Sequence, residues 1–176
     1  MDINIKKCYI MKNKKEVIMK IQIGNIIKLI LILLWMIAVF VFSSENGEKT
    51  SGTSKGFIRN ILSFAIKGIN LSEEQKEQTV DMLEPITRKL AHFTLYLLGG
   101  ILIINFVNGK EISENSKIGV STLFGFLYAC SDEIHQLFVD GRNSSIFDVG
   151  IDTLGVLTGV LIFLLVVKIK KCNTKI

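Results

Sequence analysis

The chain is poor in residues that stiffen or cross-link a protein, with one Pro and three Cys among 176 residues. We expect neither a disulfide framework nor a thiolate metal site, because the cysteines form an odd, scattered set without CxxC spacing: Cys8, Cys130 and Cys172. Hydrophobic residues make up 49% of the chain, an ordinary share. They fall in a few long runs with the charges between them, which excludes a disordered chain and a collagen-like polymer. The length allows one compact domain or one small membrane bundle.

Four segments approach the roughly 20 apolar residues that a membrane-spanning helix needs, namely residues 23–42, 90–107, 118–136 and 149–167. The sequence therefore predicts an all-α, polytopic membrane protein with four transmembrane helices. A basic segment, residues 1–22, precedes the bundle, and a basic tail, residues 168–176, follows it. The first run also has the features of a secretory signal peptide ending near Ser43, so a cleaved first segment is an alternative to an anchored helix. The long basic region favours the anchored helix.

Lysine and arginine in the flanking segments predict the orientation. Both ends of the chain are rich in lysine, and an even number of spans puts both termini in the cytoplasm. The loop 108–117 then also lies inside, while residues 43–89 and 131–148 face outward. We expect a multi-pass protein of the cytoplasmic membrane whose first partner is the lipid bilayer. The net charge of +5 follows from this topology and gives no reason to expect a nucleic-acid partner.

The outer segment between the first two spans predicts an insertion with its own helices. Residues 43–54 are rich in Ser, Gly and Thr and are typical of a loop, whereas residues 57–69 have the amphipathic pattern of a helix lying on the outer leaflet. Ser72, followed by acidic residues, predicts a helix N-terminus. Pro85 predicts a break or kink just before the second span.

Ionisable side chains at membrane depth cost a few kcal/mol each on insertion scales, so each one needs a reason. In this chain they form three groups at the outer ends of the second, third and fourth spans: Arg88, His92 and Tyr96; Asp132, Glu133, His135 and Gln136; and Arg142, Asp148 and Asp152. Helical spacings of three and four residues put members of each group on one face. The orientation deduced from lysines alone brings all three groups to the same side of the membrane. We therefore predict a functional polar site there.

The residue types suggest two sets of roles within this site. A histidine beside a carboxylate is the usual general-base arrangement, so the predicted catalytic residues are Asp132, Glu133, His135, His92 and Asp148. Arginine binds phosphate and carboxylate in bidentate fashion, so the predicted binding residues are Arg88, Arg142, Gln136, Tyr96 and Asp152.

We expect no cofactor and no metal at this site. The strongest alternative is a nitrogen-and-oxygen Zn²⁺ site made from His92, Asp132, His135 and Asp148. Against it, the D-E-I-H spacing is not an HExxH motif, and the two nearby arginines disfavour a cation.

Two strings in the sequence resemble the VanZ-like family, named after an accessory protein of glycopeptide resistance in Gram-positive bacteria. They are RKLAHF with Tyr96 at residues 88–96, and SDEIHQ at residues 131–136 continuing through Gly141 and Arg142 to Asp148. The resemblance spans about residues 35–167, within a predicted membrane domain of residues 23–167. It implies a bacterial membrane protein associated with reduced teicoplanin susceptibility. The family commonly has Asn at the position of Asp152, so this chain adds a second potential anion.

Three functions follow as hypotheses, and the sequence makes no prediction of oligomeric state. The first is an enzyme acting on a lipid-linked cell-envelope precursor at the outer leaflet. The second is a protein that binds a lipid headgroup, a lipoglycopeptide or an envelope partner without breaking a bond. The third is a small transporter, disfavoured because the charges gather at one face only.

Overall fold

The computed structural model describes residues 3–65, 72–142 and 144–174, with side chains from residue 16 onward. These residues form five α-helices: α1 (Ile3–Ser43), α2 (Gly47–Ala65), α3 (Glu73–Val107), α4 (Glu114–Gln136) and α5 (Ile146–Asn173). The predicted all-α class is confirmed. The basic segment at the start is part of α1 rather than a separate element, and residues 175–176 of the predicted tail lie outside the described residues.

Three helices of the described chain are long and apolar enough to cross a membrane: Glu16–Ser43 within α1, Glu73–Val107 and Ile146–Asn173. They identify a membrane protein. Helix α4 is not among them, because its apolar stretch ends where Asp132 and Glu133 begin. Large apolar side chains point outward along α1, α4 and α5, as expected of a bundle surrounded by lipid; Leu34, Leu127 and Leu165 are examples.

Helices α1 and α3 run in opposite directions. Lys28 Nζ of α1 donates to the Asn105 carbonyl of α3 at 2.9 Å, so this bond connects the two helices near one end of the bundle. Further along α1, Trp35 Nε1 donates to the carbonyl of Leu95, earlier in α3, at 2.8 Å. Increasing residue numbers on one helix therefore meet decreasing numbers on the other.

Helix α4 runs alongside α1 in the same direction. Tyr128 Oη of α4 donates to the Met36 carbonyl at 2.6 Å. Further along both helices, Ser43 Oγ of α1 donates to Asp132 Oδ2 of α4 at 2.9 Å. Because α4 follows α3 through a short turn, the order α1, α3, α4, α5 alternates in direction around the bundle.

Helices α3 and α5 touch backbone to backbone through glycine. A Cβ on Gly100 would lie 2.2 Å from the Val156 carbonyl oxygen, and a Cβ on Gly159 would lie 2.1 Å from the Leu97 carbonyl oxygen. Only hydrogen in place of a side chain permits this spacing. The close contact between α3 and α5 sets the distance between polar residues at one end of the two helices, His92 on α3 and Asp152 on α5.

One prediction about the outer insertion is wrong. Residues 47–54 are helical instead of a loop, because Asn46 Oδ1 accepts from the Glu48 backbone N–H at 2.9 Å and starts α2. Of the helix predicted over 57–69, residues 57–65 belong to α2 and residues 66–69 lie outside the described residues. The predicted cap at Ser72 is confirmed as a capping box with Gln75.

Helix α3 continues through Pro85, so the predicted break does not occur. The reason is a row of contacts that holds the first turns of α3 on α2. We call it the α2–α3 ladder: Ser51–Glu84 at 2.7 Å, Lys55–Asp81 at 2.7 Å and Arg59–Glu77 at 2.8 Å. Its members recur every three or four residues on each helix, so the ladder supports α3 right up to the proline.

Candidate functional site

A cavity of about 300 Å³ opens at one end of the bundle, where α3 passes the last turn of α4 and the first turn of α5. It is lined by Pro85, Arg88, Lys89, His92, Glu133, Gln136, Gly141, Arg142, Asp148, Ile151 and Asp152. Seven of the ten site residues predicted from the sequence line it. Asp132 and Tyr96 are buried behind its wall, and His135 lies elsewhere.

Asp132 is a buried carboxylate held by two hydrogen bonds. Only 4% of the residue is exposed. Its Oδ2 accepts from Ser43 Oγ of α1 at 2.9 Å and from Gln136 Nε2, one turn later on α4, at 3.0 Å. Because both partners are themselves buried, the carboxylate is fixed in position with one oxygen left for another contact.

Asp152 is completely buried and has far less support. Its exposure is 0%, and neither carboxylate oxygen has a hydrogen-bond partner among the residues that the structure describes. His92 Nδ1 lies 3.8 Å from Asp152 Oδ2, within ion-pair range but beyond hydrogen-bond length. Tyr96, one helical turn after His92, also has a buried hydroxyl without a partner in the described chain. Such groups cost free energy and call for an explanation.

Three helices bring His92, Asp132 and Asp152 together. One donor atom from each lies within 4.8 Å of the others. The side chain of His92 keeps 19% of its surface exposed and faces the cavity, so it lies between the buried acids and a molecule bound in the cavity. The arrangement offers a general base supported by carboxylates, and equally a nitrogen-and-oxygen ligand set.

Glu133 anchors the start of α5 at the cavity wall. Its Oε2 accepts from the Ser145 backbone N–H at 2.9 Å. Ser145 is the N-cap of α5, so the carboxylate sits where the partial positive charge of a helix N-terminus favours it. Glu133 therefore serves the architecture of the site at the same time as it lines the cavity.

Arg142 holds the α4–α5 loop against the junction of α1 and α2. Its Nη2 donates to the Phe42 carbonyl at 2.9 Å, and its Nε to the Glu45 carbonyl at 3.2 Å. Burial lowers the pKa of the Arg142 guanidinium from its ordinary value, but an arginine remains charged near neutral pH. Gly141 beside it adopts φ of +71°, which favours glycine, and its carbonyl oxygen would lie 1.9 Å from a Cβ on Gly47, so position 47 also requires glycine.

The rim of the cavity carries ion pairs. Lys89 Nζ contacts Asp148 Oδ1 at 2.6 Å, and Arg88 Nη1 lies 3.5 Å from Glu84 Oε1. Lys89 is thus part of the site, although it is not among the residues predicted from the sequence. Asp148, predicted to be catalytic, is a partner of that lysine.

The VanZ/LLP1 family model matches residues 28–167, which includes all the residues of the cavity. This chain belongs to the VanZ/LLP1 family. No curated protein and no solved structure matches it. The resemblance inferred from two short strings is confirmed, and the VanZ-like domain extends over the bundle.

His135 is the predicted site residue that this VanZ-family structure places apart from the others. Its ring packs 4.3 Å from the ring of Phe40 on α1, centroid to centroid. Asp132 and Gln136 lie one turn apart on the buried face of α4, whereas His135 lies on a different face, where it contacts Phe40 of α1. Of the two histidines in the chain, His92 is therefore the one at the cavity.

Ser43 is the site residue that sequence reasoning missed. It ends the first apolar run at the predicted outer side, which is the only signal that the sequence offers. Its side chain is buried and donates to Asp132, a contact between residues 89 positions apart. The last residue of α1 thus belongs to the VanZ-like site.

Proposed function

We propose that this VanZ-family protein lowers susceptibility to teicoplanin-type glycopeptides by acting, as a membrane-embedded enzyme, on a lipid-linked cell-envelope precursor. The observation that carries the proposal is the cluster of His92 with the buried Asp132 and Asp152 at a cavity with arginine at its rim. A cavity of this kind at a membrane boundary suits an anionic headgroup whose acyl or isoprenoid part stays in the bilayer.

The proposal includes four membrane crossings, with both termini in the cytoplasm and the cavity at the outer face. Helix α4 packs against α1, α3 and α5, and the four long helices alternate in direction. The neighbouring helices rather than lipid satisfy the polar end of α4, and exposed apolar side chains such as Leu127 suit the bilayer, so it crosses despite its modest apolar length. Basic residues at both chain ends support the orientation.

Chemical reasoning favours an enzyme. His92 reaches the cavity while its ring lies beside the carboxylate of Asp152, which is the arrangement of a supported general base. Arg88, with 29% of its side chain exposed, supplies a cation for a phosphate or carboxylate at the same opening. Burying an ionisable pair such as His92 and Asp152 costs free energy of folding, and such pairs are typical of sites that perform chemistry.

The second candidate is binding without reaction. Among the described residues that line the cavity there is no Ser, Thr or Cys that would act as a nucleophile. The mixed charges of Arg88, Lys89 and Asp148 also match a zwitterionic headgroup or a lipoglycopeptide. A transporter remains the least favoured function, since the other half of the bundle is filled by apolar side chains such as Ile104 and Val160.

The test compares bacteria that produce the intact protein, a His92→Gln variant or an Arg59→Gln variant at matched membrane levels. Arg59 belongs to the α2–α3 ladder, so its variant controls for expression and general damage. We expect His92→Gln to lose teicoplanin tolerance and Arg59→Gln to keep it.

Lipid mass spectrometry of the same membranes separates the two candidates. An enzyme predicts a lipid-linked precursor whose mass changes only with the intact protein and the Arg59→Gln variant. Unaltered lipids together with lost tolerance in His92→Gln would favour binding. Full tolerance in His92→Gln would refute a role for the cavity.

A further inference from the structure

We propose that His92, Asp132 and Asp152 bind a divalent transition-metal ion of the Zn²⁺ type. This set differs from the alternative considered from the sequence, since it contains Asp152 from α5 and lacks His135 and Asp148. Three helices supply one ligand each. The binding of the ion does not rest on the proposed function, whereas its use in the reaction does. With the ion bound, a coordinated water would serve as the base in place of His92, because an imidazole that ligates an ion cannot also accept a proton.

The ligand chemistry fits such an ion. Imidazole and carboxylate are ligands of Zn²⁺, and catalytic Zn²⁺ sites have three protein ligands with a further position open to water or substrate. In a tetrahedral site with bonds of about 2.0–2.2 Å, the ligand atoms lie about 3.4 Å apart. The three donor atoms lie within 4.8 Å of one another, so modest side-chain rotation closes the set.

The second observation is the state of Asp152. Its carboxylate is fully buried, and both oxygens lack a hydrogen-bond partner among the described residues. Burying such a group is costly unless a positive charge or donors compensate it. His92, at 3.8 Å, is too distant to hydrogen-bond, and a metal ion between the two side chains would satisfy both.

Asp132 has the outer support that metal ligands commonly have. Ser43 and Gln136 both donate to its Oδ2, which orients the carboxylate and leaves Oδ1 available. Hydrogen bonds of this kind fix a ligand before the ion arrives and typically change affinity 10–100-fold when removed.

The cationic side chains of the cavity do not replace an ion. Arg142 donates to the backbone carbonyls of Phe42 and Glu45, and Lys89 is paired with Asp148. Arg88 faces Glu84. The buried acids therefore stay under-compensated, and a divalent cation restores the balance. The ion and the arginine would then hold one anionic group from two sides, which explains why acids and arginines share the cavity.

The experiment uses the full chain purified in detergent through a tag without histidine, stripped with a chelator and titrated with Zn²⁺. Calorimetry and elemental analysis measure affinity and stoichiometry, and Co²⁺ in place of Zn²⁺ reports the ligands through its visible absorption. We expect one ion per chain and a rise in the midpoint of thermal unfolding.

Matched variants make the result specific. His92→Gln and Asp152→Asn should each weaken Zn²⁺ binding at least about 100-fold, since each removes a direct ligand where loss of outer support alone costs 10–100-fold. His135→Gln, which changes the other histidine of the chain, should bind like the intact protein. Both ligand variants are checked for an unchanged helical spectrum and a single elution peak.

Absence of stoichiometric binding in the folded intact chain would overturn the proposal, and so would equal affinity in His92→Gln, Asp152→Asn and His135→Gln. None of these readouts depends on antibiotic tolerance. A metal-free protein that confers tolerance leaves the proposed function standing, and a metal-binding protein without tolerance leaves this inference standing.

Discussion

The cavity and the α2–α3 ladder both contain charged side chains of both signs, but they treat them in opposite ways. In the ladder, Arg59 binds Glu77 with two hydrogen bonds of 2.8 and 2.9 Å, and both side chains are half exposed. In the cavity, Asp152 is fully buried and has no hydrogen bond to any described residue. The ladder satisfies its charges within the protein, and the cavity keeps one unsatisfied.

The difference separates a structural use of charge from a functional one. Exposed ion pairs form at little cost and contribute little, so the ladder works mainly by orienting α2 on α3. A buried carboxylate without donors lowers stability, and a chain tolerates it where function requires it. The contrast gives a direct means of testing which charges matter for tolerance.

The largest effect is expected where α3 and α5, which frame the cavity, come closest. Gly100→Ala would put a Cβ 2.2 Å from the Val156 carbonyl oxygen, a distance that forces the helices apart. We expect a loss of about 1–3 kcal/mol of unfolding free energy from this overpacking. Gly119→Ala on α4 is the control, because its Cβ would meet nothing within 4 Å. Thermal unfolding in detergent would show an equal loss in both variants if the close contact did not exist.

A smaller effect is expected at Ser43, on the cavity side of the comparison. Ser43→Ala removes a hydrogen bond to the buried Asp132 carboxylate and leaves Gln136 as its donor. The expected loss is about 1–2 kcal/mol of unfolding free energy, in line with a bond to a charged group. Ser44→Ala serves as the control, since Ser44 Oγ is exposed and donates to the Phe40 carbonyl one turn earlier in the chain. Denaturant unfolding that ranks Ser44→Ala as the more damaging change would contradict this assignment.

The smallest effect is expected in the ladder. Arg59→Gln removes an exposed ion pair, so we expect little change in the unfolding midpoint and unchanged teicoplanin tolerance. High salt should reproduce what little change occurs, because it screens exposed charges. Tolerance lost in Arg59→Gln at normal membrane levels would show that the ladder, too, belongs to the functional site.

The sequence predicted the bundle and the grouping of polar residues because both follow from short-range patterns. The apolar runs predicted the spans within α3 and α5. The lysine bias predicted that Arg88, Asp132 and Asp148 lie on the same side of the membrane. Periodicity alone does not predict how each helix is rotated about its axis relative to its neighbours. It therefore left His135 in the site, where the structure turns it to Phe40.

Tertiary contacts account for the remaining errors. Residues 47–54 are rich in glycine and serine and are poor helix formers alone, and they become helical through Ser51 and the rest of the ladder. Ser43 is unremarkable in the sequence, because its importance lies in a partner 89 positions away. Such pairings arise from the fold and leave no local pattern.

The most direct test of the account measures stability and tolerance together in Asp152→Asn. The substitution keeps the shape of the side chain and removes the buried charge. With a chelator present, we expect a higher unfolding midpoint than that of the intact protein, by about 2–4 °C for each kcal/mol recovered. In cells, we expect teicoplanin tolerance to be lost. A variant that is less stable than the intact protein and yet confers full tolerance would contradict the claim that this carboxylate is kept for function.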